Sequence, residues 1–217
     1  MKILNLYSCL GGNRYKWGIE HEITAVEYDP ELARLYQERF PNDKVIISDA
    51  HQYLLDHYKE YDFIWSSPPC PTHSITNHFL NAQGVVRYPD MALYQEIIFL
   101  QTFFKGKYVV ENVKPYYKPL VEAHQRDRHL YWTNFNLPNT LSKRQPPKMN
   151  ANKNITKKVE EAFMDFHLIK DIIQKYKGKQ SKGKIARNLV DFEAGKTILD
   201  TALGIMKNQD TTQTQLF

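Results

Sequence analysis

Cysteine and long apolar runs are scarce in this 217-residue chain. Only two cysteines occur, Cys9 and Cys70, which excludes a disulfide-rich scaffold. A zinc or similar site would take several ligands at short spacings, so we expect no metal. No apolar run approaches the ~20 residues that cross a bilayer, and the first residues lack a signal-peptide pattern. These absences predict a soluble, cytoplasmic protein without a membrane partner and with a free thiol.

Positive charge is concentrated in one part of the chain. The net charge is +5, but residues 141–187 hold 13 Lys and Arg against 4 Asp and Glu, so the remainder is net acidic. Such asymmetry is typical of a protein that contacts a polyanion. A solvated lysine face explains the run equally well.

Strand-like and helical segments alternate along the first half of the chain. The strand-like segments span 2–7, 22–28, 44–48, 61–65 and 108–113, and the helical ones 30–40, 50–58 and 94–104. In the first helical segment Leu32, Leu35 and Tyr36 recur at helical spacing. This order predicts an α/β fold with a parallel sheet and helices on both faces.

A cysteine follows two prolines at the end of the fourth strand-like segment. Pro68 and Pro69 fix two backbone angles directly before Cys70, so the thiol is held on a stiff shelf. Glu111-Asn112-Val113 ends the next strand, and Arg126-Asp127-Arg128 begins a later one. A positioned thiol, a carboxyl group and two arginines indicate covalent chemistry on a ring that needs protonation.

Residues suited to a nucleotide follow the first three strands. Ligands of such sheets lie beyond the carboxyl ends of the strands. There Gly11 and Gly12 allow a ligand to approach the backbone closely. Glu27 can accept hydrogen bonds from both hydroxyls of a ribose, and Asp49 can accept one from the amino group of an adenine. An ordinary turn would explain the glycine pair alone, but the two acids at matching strand ends favour a cofactor site.

Four ordered motifs resemble the DNA cytosine-C5 methyltransferase family, of small bacterial or phage type: the Gly-Gly turn, Pro-Pro-Cys, Glu-Asn-Val and Arg-x-Arg. The resemblance runs from Lys2 to about Phe135, with a weaker echo at 186–198. It implies a Rossmann-like S-adenosylmethionine-dependent methyltransferase sheet with a reduced target-recognition region, S-adenosylhomocysteine as product and double-stranded DNA as partner. The implied cofactor-binding residues are Tyr7, Leu10, Gly11, Gly12, Glu27, Tyr28, Asp49, Ala50, Pro69 and Asn188. Two departures stand out, because Asn5 replaces an acidic residue and Cys9 a glycine.

The resemblance also implies the catalytic roles. Cys70 attacks carbon 6 of cytosine, and Glu111 gives a proton or a strong hydrogen bond to ring nitrogen 3. Arg126 holds the cytosine oxygen or Glu111, and Arg128 steadies the Cys70 loop. Asn112 braces that loop through backbone hydrogen bonds. The long segment 71–89 is expected to close over a base that has left the duplex.

We predict four parts: a catalytic core (1–135), a reduced basic target-recognition region (136–185), a C-terminal helix returning to the core (186–207) and a flexible tail (208–217). In the second part an apolar stripe predicts core packing, with the lysines towards DNA phosphates: Ile155, Val159, Phe163, Phe166, Ile169, Ile173 and Tyr176. The tail segment Gln213–Phe217 resembles the Gln-x-x-Leu-Phe peptide that docks on the bacterial sliding clamp, although a frayed end explains it equally.

Two other functions stay open. A small recognition region also suits an RNA (tRNA) cytosine-C5 methyltransferase. Asn5 and Cys9 instead suit a non-catalytic nucleic-acid-binding relative. The recognition sequence, the oligomeric state, a restriction-enzyme partner and the base that removes the carbon-5 proton cannot be read from the sequence.

Overall fold

A computed structural model of the protein describes residues 1–141 and 166–205. The strands are β1 (Lys2–Leu6), β2 (Glu22–Glu27), β3 (Lys44–Ile47), β4 (Phe63–Ser66), β5 (Lys107–Val113), β6 (His124–Arg126) and β7 (His129–Thr133). The α-helices are α1 (Pro30–Arg39), α2 (Ala50–His57), α3 (Asn77–Ala82), α4 (Ala92–Phe103), α5 (Phe166–Lys175), α6 (Lys182–Arg187) and α7 (Phe192–Ala202), and 3-10 turns span Asn13–Lys16 and Tyr58–Glu60. The five predicted strands and three predicted helices are confirmed to within a few residues at their ends.

The strands form one sheet in the order β3-β2-β1-β4-β5-β7-β6. The first five run parallel, as predicted, but β7 is antiparallel to both β5 and β6. The parallel sheet predicted from these five strands is therefore confirmed, and β7 and β6 extend it with an antiparallel edge that was not predicted. Residues 127–128 form a tight turn with Asp127 at φ +49°, and so short a connection returns the chain antiparallel.

Alternate residues of the central strands enter two separate cores. Leu4 and Ile64 pack with α2 and α4 on one face, whereas Ile3 and Phe63 pack with α7 on the other. This follows from the two-residue period of a strand. The predicted α/β fold with helices on both faces is confirmed.

A third core joins the C-terminal part of the chain to α1. Ile169, Ile173 and Tyr176 are buried there against Leu32 and Leu35. The predicted packing of the apolar stripe is thus confirmed for these three residues, while the side chains of its first four members lie outside the description. The predicted division into four parts also includes residues outside the described ranges and stays a prediction.

Candidate active site

Cys70 lies just beyond the end of β4, on the proline shelf. The carbonyl of Cys70 accepts hydrogen bonds from the backbone amides of His73 (3.0 Å) and Ser74 (3.1 Å), which turn the chain sharply after the thiol. On the preceding side, the buried Asn112 side chain donates to the carbonyl of Pro68 at 3.0 Å. The predicted brace by Asn112 is confirmed, and the thiol is fixed from both sides.

The loop that follows Cys70 is joined to the chain after β5. Ile75 donates its amide to the Lys114 carbonyl, and Tyr116 donates to that of His73. The Asn77 side chain is buried and donates to the Pro71 carbonyl at 2.9 Å, which ties α3 back to the start of the loop. The helix α3 lies within the segment 71–89 that follows Cys70.

Cys70 opens onto a cleft of about 420 Å³ beyond the carboxyl ends of the strands. Besides Cys70 and Glu111, its wall includes seven of the ten predicted cofactor-binding residues: Tyr7, Glu27, Tyr28, Asp49, Ala50, Pro69 and Asn188. The structure therefore brings the predicted nucleophile, the predicted acid and most of the predicted cofactor residues to one cavity.

Glu111, at the end of β5, lies on the cleft wall beside a histidine. Its Oε1 is 3.5 Å from Nε2 of His129, because the antiparallel pairing brings the start of β7 beside the end of β5. Burial lowers the pKa of His129, against the pull of Glu111 in the other direction. Burial thus favours the neutral form of His129, whose ring lies next to the Glu111 carboxyl.

The two arginines of the Arg-x-Arg motif have different environments. Arg126 lies on the outermost strand and donates to the carbonyls of Pro138, Leu137 and Gln125 at 2.7–3.1 Å. It does not reach the cleft, because β7 separates β6 from β5. Arg126 therefore does not contact Glu111 in this structure, and its alternative contact with the cytosine oxygen stays a prediction. Arg128, in the turn, interacts electrostatically with both Glu111 and Cys70.

The Cys70 thiol is not strongly activated in this arrangement. Burial raises the pKa of Cys70, and the Glu111 carboxylate raises it further, whereas Arg128 and Lys184 act to lower it. Because only the thiolate is a good nucleophile, the balance of these neighbours sets the reactivity of Cys70.

Acidic groups line the other end of the cleft. Glu27 accepts the amide of Cys9 (2.8 Å) through one oxygen and that of Asp29 (2.9 Å) through the other. Asp49 begins α2 by accepting the Gln52 amide at 2.8 Å, and the exposed ring of Tyr28 lies at the rim. Both carboxylates are thus held by backbone amides and face the cavity.

Leu10, Gly11 and Gly12 do not line the cleft. Gly11 has φ +69°, and a Cβ there would lie 2.5 Å from the Phe40 ring. A Cβ on Gly12 would lie 2.3 Å from the Val190 carbonyl, while Leu10 is fully buried. Packing explains these three residues, and Cys9, at φ +47°, is the residue of this turn on the cleft wall.

The segment after α5 closes one side of the cleft. The Tyr176 hydroxyl donates to Oδ2 of Asp29 at 2.6 Å, and the Gln180 side chain donates to the same oxygen at 3.2 Å. The next helix, α6, then brings Lys184 and Arg187 to the wall. The sequence predicted Asn188 at this site but not Gln180, Lys184 and Arg187. These three residues reach the cleft because Tyr176 docks on Asp29, a tertiary contact that leaves no pattern in the sequence.

Within the described residues, no group of three or more His, Cys, Asp or Glu side chains is arranged to hold a metal ion. No helix in the same part of the chain is long and apolar enough to cross a membrane.

Residues 1–119, more than half of the chain, match the family model of C-5 cytosine-specific DNA methylases. A DNMT2 from Spodoptera frugiperda is 27% identical over 52% of this chain and 35% of its own, with a TM-score of 0.38, so the chain spans about a third of that protein. The methyltransferase EhMeth from Entamoeba histolytica is 10% identical over 96% of this chain and 99% of its own, with a TM-score of 0.52. At this level of identity the match shows a similar fold. No curated protein matches the chain.

Proposed function

The chain belongs to the C-5 cytosine-specific DNA methylase family, and we propose that it transfers a methyl group from S-adenosylmethionine to carbon 5 of cytosine in DNA through a covalent Cys70 adduct. One observation carries this proposal: Cys70 and Glu111 share a single cleft with acids suited to an adenosine. A nucleophile, an acid and a cofactor-sized cavity at one sheet edge are what this reaction requires.

The cleft has the size and donor set that S-adenosylmethionine needs. A volume of about 420 Å³ falls within the range of small-molecule sites. Glu27 would accept hydrogen bonds from the ribose hydroxyls, and Asp49 would accept one from the adenine amino group. The exposed Tyr28 ring would stack on the adenine base. When bound, the cofactor supplies an electrophilic methyl group.

Cys70 and Glu111 would divide the activation of the cytosine ring. The Cys70 thiolate forms a bond to carbon 6 while ring nitrogen 3 takes a proton, so the ring becomes an enamine with a nucleophilic carbon 5. Glu111 lies where it can give that proton or a strong hydrogen bond. After methyl transfer, carbon 5 loses its proton to a base, the bond from sulfur to carbon 6 breaks and the thiolate leaves, while ring nitrogen 3 returns its proton to Glu111.

Arg128 and His129 take the supporting roles that sequence reasoning gave to Arg126. Arg128 stabilises negative charge at both Cys70 and Glu111, and the neutral His129 ring can orient the Glu111 carboxyl. Arg126 instead holds the chain after β7 through its carbonyl contacts.

Binding to nucleic acid is assigned to the basic region 141–187. Its positive charge would attract DNA phosphates without sequence specificity.

The proposed sliding-clamp peptide, Gln213–Phe217, lies outside the described residues. Deleting it should abolish clamp pull-down and leave activity on short oligonucleotides unchanged; full pull-down by the shortened chain would refute this contact.

Transfer of labelled methyl from S-adenosylmethionine to mixed-sequence duplex DNA tests the function. The wild type should yield 5-methylcytosine, and Cys70→Ala should yield none. Sequencing around each modified base would give the recognition site. Labelling of tRNA but not of DNA would favour the RNA reaction, and an inactive wild type that binds no cofactor would refute the proposal.

A further inference from the structure

Glu96, on α4, is a fully buried carboxyl group that takes no part in the proposed chemistry. It does not line the cleft. Burying a carboxylate is costly unless its oxygens are satisfied by hydrogen bonds. The partners of Glu96 therefore indicate what it does.

Those partners come from three separate parts of the sheet edge. Oε1 of Glu96 accepts from the Tyr7 hydroxyl at 2.5 Å and lies 3.0 Å from Nδ1 of His51. Oε2 accepts from the Ser66 hydroxyl at 2.6 Å. One carboxyl group thus joins the residue after β1, the first turn of α2 and the end of β4.

Two of these partners lead directly to the cleft. Tyr7 forms part of its wall, and its φ of +56° is unusual for a bulky residue. Such a backbone conformation persists only where surrounding contacts hold it. Ser66 ends β4 and precedes the segment Ser67–Cys70, which continues along the wall.

We propose that Glu96 is a positioning residue that fixes, from inside the core, both the cofactor wall at Tyr7 and the strand end that carries Cys70. The proposal rests on the proposed function. One carboxyl oxygen of Glu96 binds Tyr7 on the cofactor wall, and the other binds Ser66 on the strand that leads to Cys70. Removal of the negative charge should therefore affect both the cofactor wall and the position of Cys70. His51 supports the carboxylate from α2, since its hydrogen bond to Glu96 raises the pKa of the imidazole, with further help from Asp49 and Asp90.

The test uses Glu96→Gln, which keeps the shape of the side chain and removes the charge. Calorimetry should show S-adenosylhomocysteine binding weakened roughly tenfold, as expected for one lost charge-assisted hydrogen bond. Iodoacetamide should modify Cys70 severalfold faster, because the strand end is no longer fixed. An NMR titration should show a lower pKa for His51.

Two control variants separate positioning from general stability. Glu122→Gln makes the same change at an exposed glutamate, and Ile97→Val weakens the core on the same helix. Both should match the wild type in affinity and alkylation. If Glu96→Gln does not fold, Ser66→Ala tests one oxygen alone: Cys70 should alkylate faster while cofactor affinity stays within about twofold.

The failure of this inference is distinguishable from failure of the proposed function. A wild type that binds no S-adenosylhomocysteine would refute the function. A wild type that binds it, with Glu96→Gln or Ser66→Ala showing unchanged alkylation, would refute positioning by Glu96. An Ile97→Val variant that reproduces the losses would also refute it, because stability alone would then explain them.

Discussion

At the scale of single residues, the reactivity of Cys70 depends on opposing charges. Burial and Glu111 raise the pKa of the thiol, while Arg128 and Lys184 lower it. Glu111→Gln should therefore speed alkylation of Cys70 at pH 8, and Lys184→Gln should slow it. The rate is measured against pH by mass spectrometry of the Cys70 peptide.

Cys9 serves as the internal control for that experiment, because burial raises its pKa to about 12 and it should stay unmodified. Lys182→Gln is the matched charge control, since Lys182 is outside the cleft wall and donates to the Gln174 carbonyl. A slower reaction in Glu111→Gln would contradict the electrostatic account.

The unusual residue of the first turn, Cys9, gives a second prediction. It has φ +47° and lies on the cleft wall, at a position where the family commonly has glycine. Cys9→Gly removes both the strain and the Cβ, so S-adenosylmethionine should bind severalfold more tightly by calorimetry. Cys9→Ala retains the Cβ and should show no such gain; an equal gain in both variants would assign the effect to sulfur instead.

The positions of the proposed catalytic residues could be predicted from the sequence only where the order of the motifs determines them. Cys70 follows β4 and Glu111 lies near the end of β5, and the carboxyl ends of these parallel strands meet at one sheet edge. The choice between Arg126 and Arg128 depends on a turn between them that carries no hydrophobic pattern. Nothing in the sequence pointed to His129, because it lies next to Glu111 only through the antiparallel pairing of β7 with β5.

At the scale of elements, the docking of the segment after α5 is testable. Tyr176 and Gln180 donate hydrogen bonds to Asp29. Burial acts to raise the pKa of the Asp29 carboxyl group, but the hydrogen bonds outweigh it and the pKa is lowered. Tyr176→Phe removes one donor and should loosen α6. Faster amide hydrogen exchange is expected across residues 182–188, together with weaker cofactor binding.

A comparison with Tyr15→Phe, at a half-exposed tyrosine on the 3-10 turn, controls for the loss of a hydroxyl group. Because the folded pKa of Asp29 is lowered, its contribution to stability is present above its unfolded value near 3.9 and is lost as the pH falls through the folded value. The difference between wild type and Tyr176→Phe in urea unfolding should therefore shrink at acidic pH. A constant difference would contradict this role for Asp29.

The elements themselves differ in how far sequence predicts them. Buried parallel strands and amphipathic helices leave clear periodic patterns, so β1 to β5 and helices α1, α2 and α4 were predicted. Helix α3 leaves little pattern, since Phe79 on it and the nearby Val86 are exposed. The reversal at Asp127 depends on one backbone angle and could not be predicted from composition.

At the scale of the whole molecule, Cys70 and Glu111 share one cleft at the carboxyl edge of a mixed sheet, and a basic stretch of sequence follows them. The sheet supplies rigidity, and the segment after α5 completes the cleft wall. The central claim is that Cys70 becomes covalently attached to cytosine in DNA during turnover.

A trapping experiment tests that claim most directly. Duplex DNA containing 5-fluorocytosine, incubated with the protein and S-adenosylmethionine, should give an adduct that survives denaturing electrophoresis, because fluorine cannot leave carbon 5 as a proton does. The adduct should require the cofactor, map to Cys70 by mass spectrometry and be absent from Cys70→Ala. Methylation of ordinary duplex DNA without any trapped adduct, or an adduct at another residue, would contradict the account.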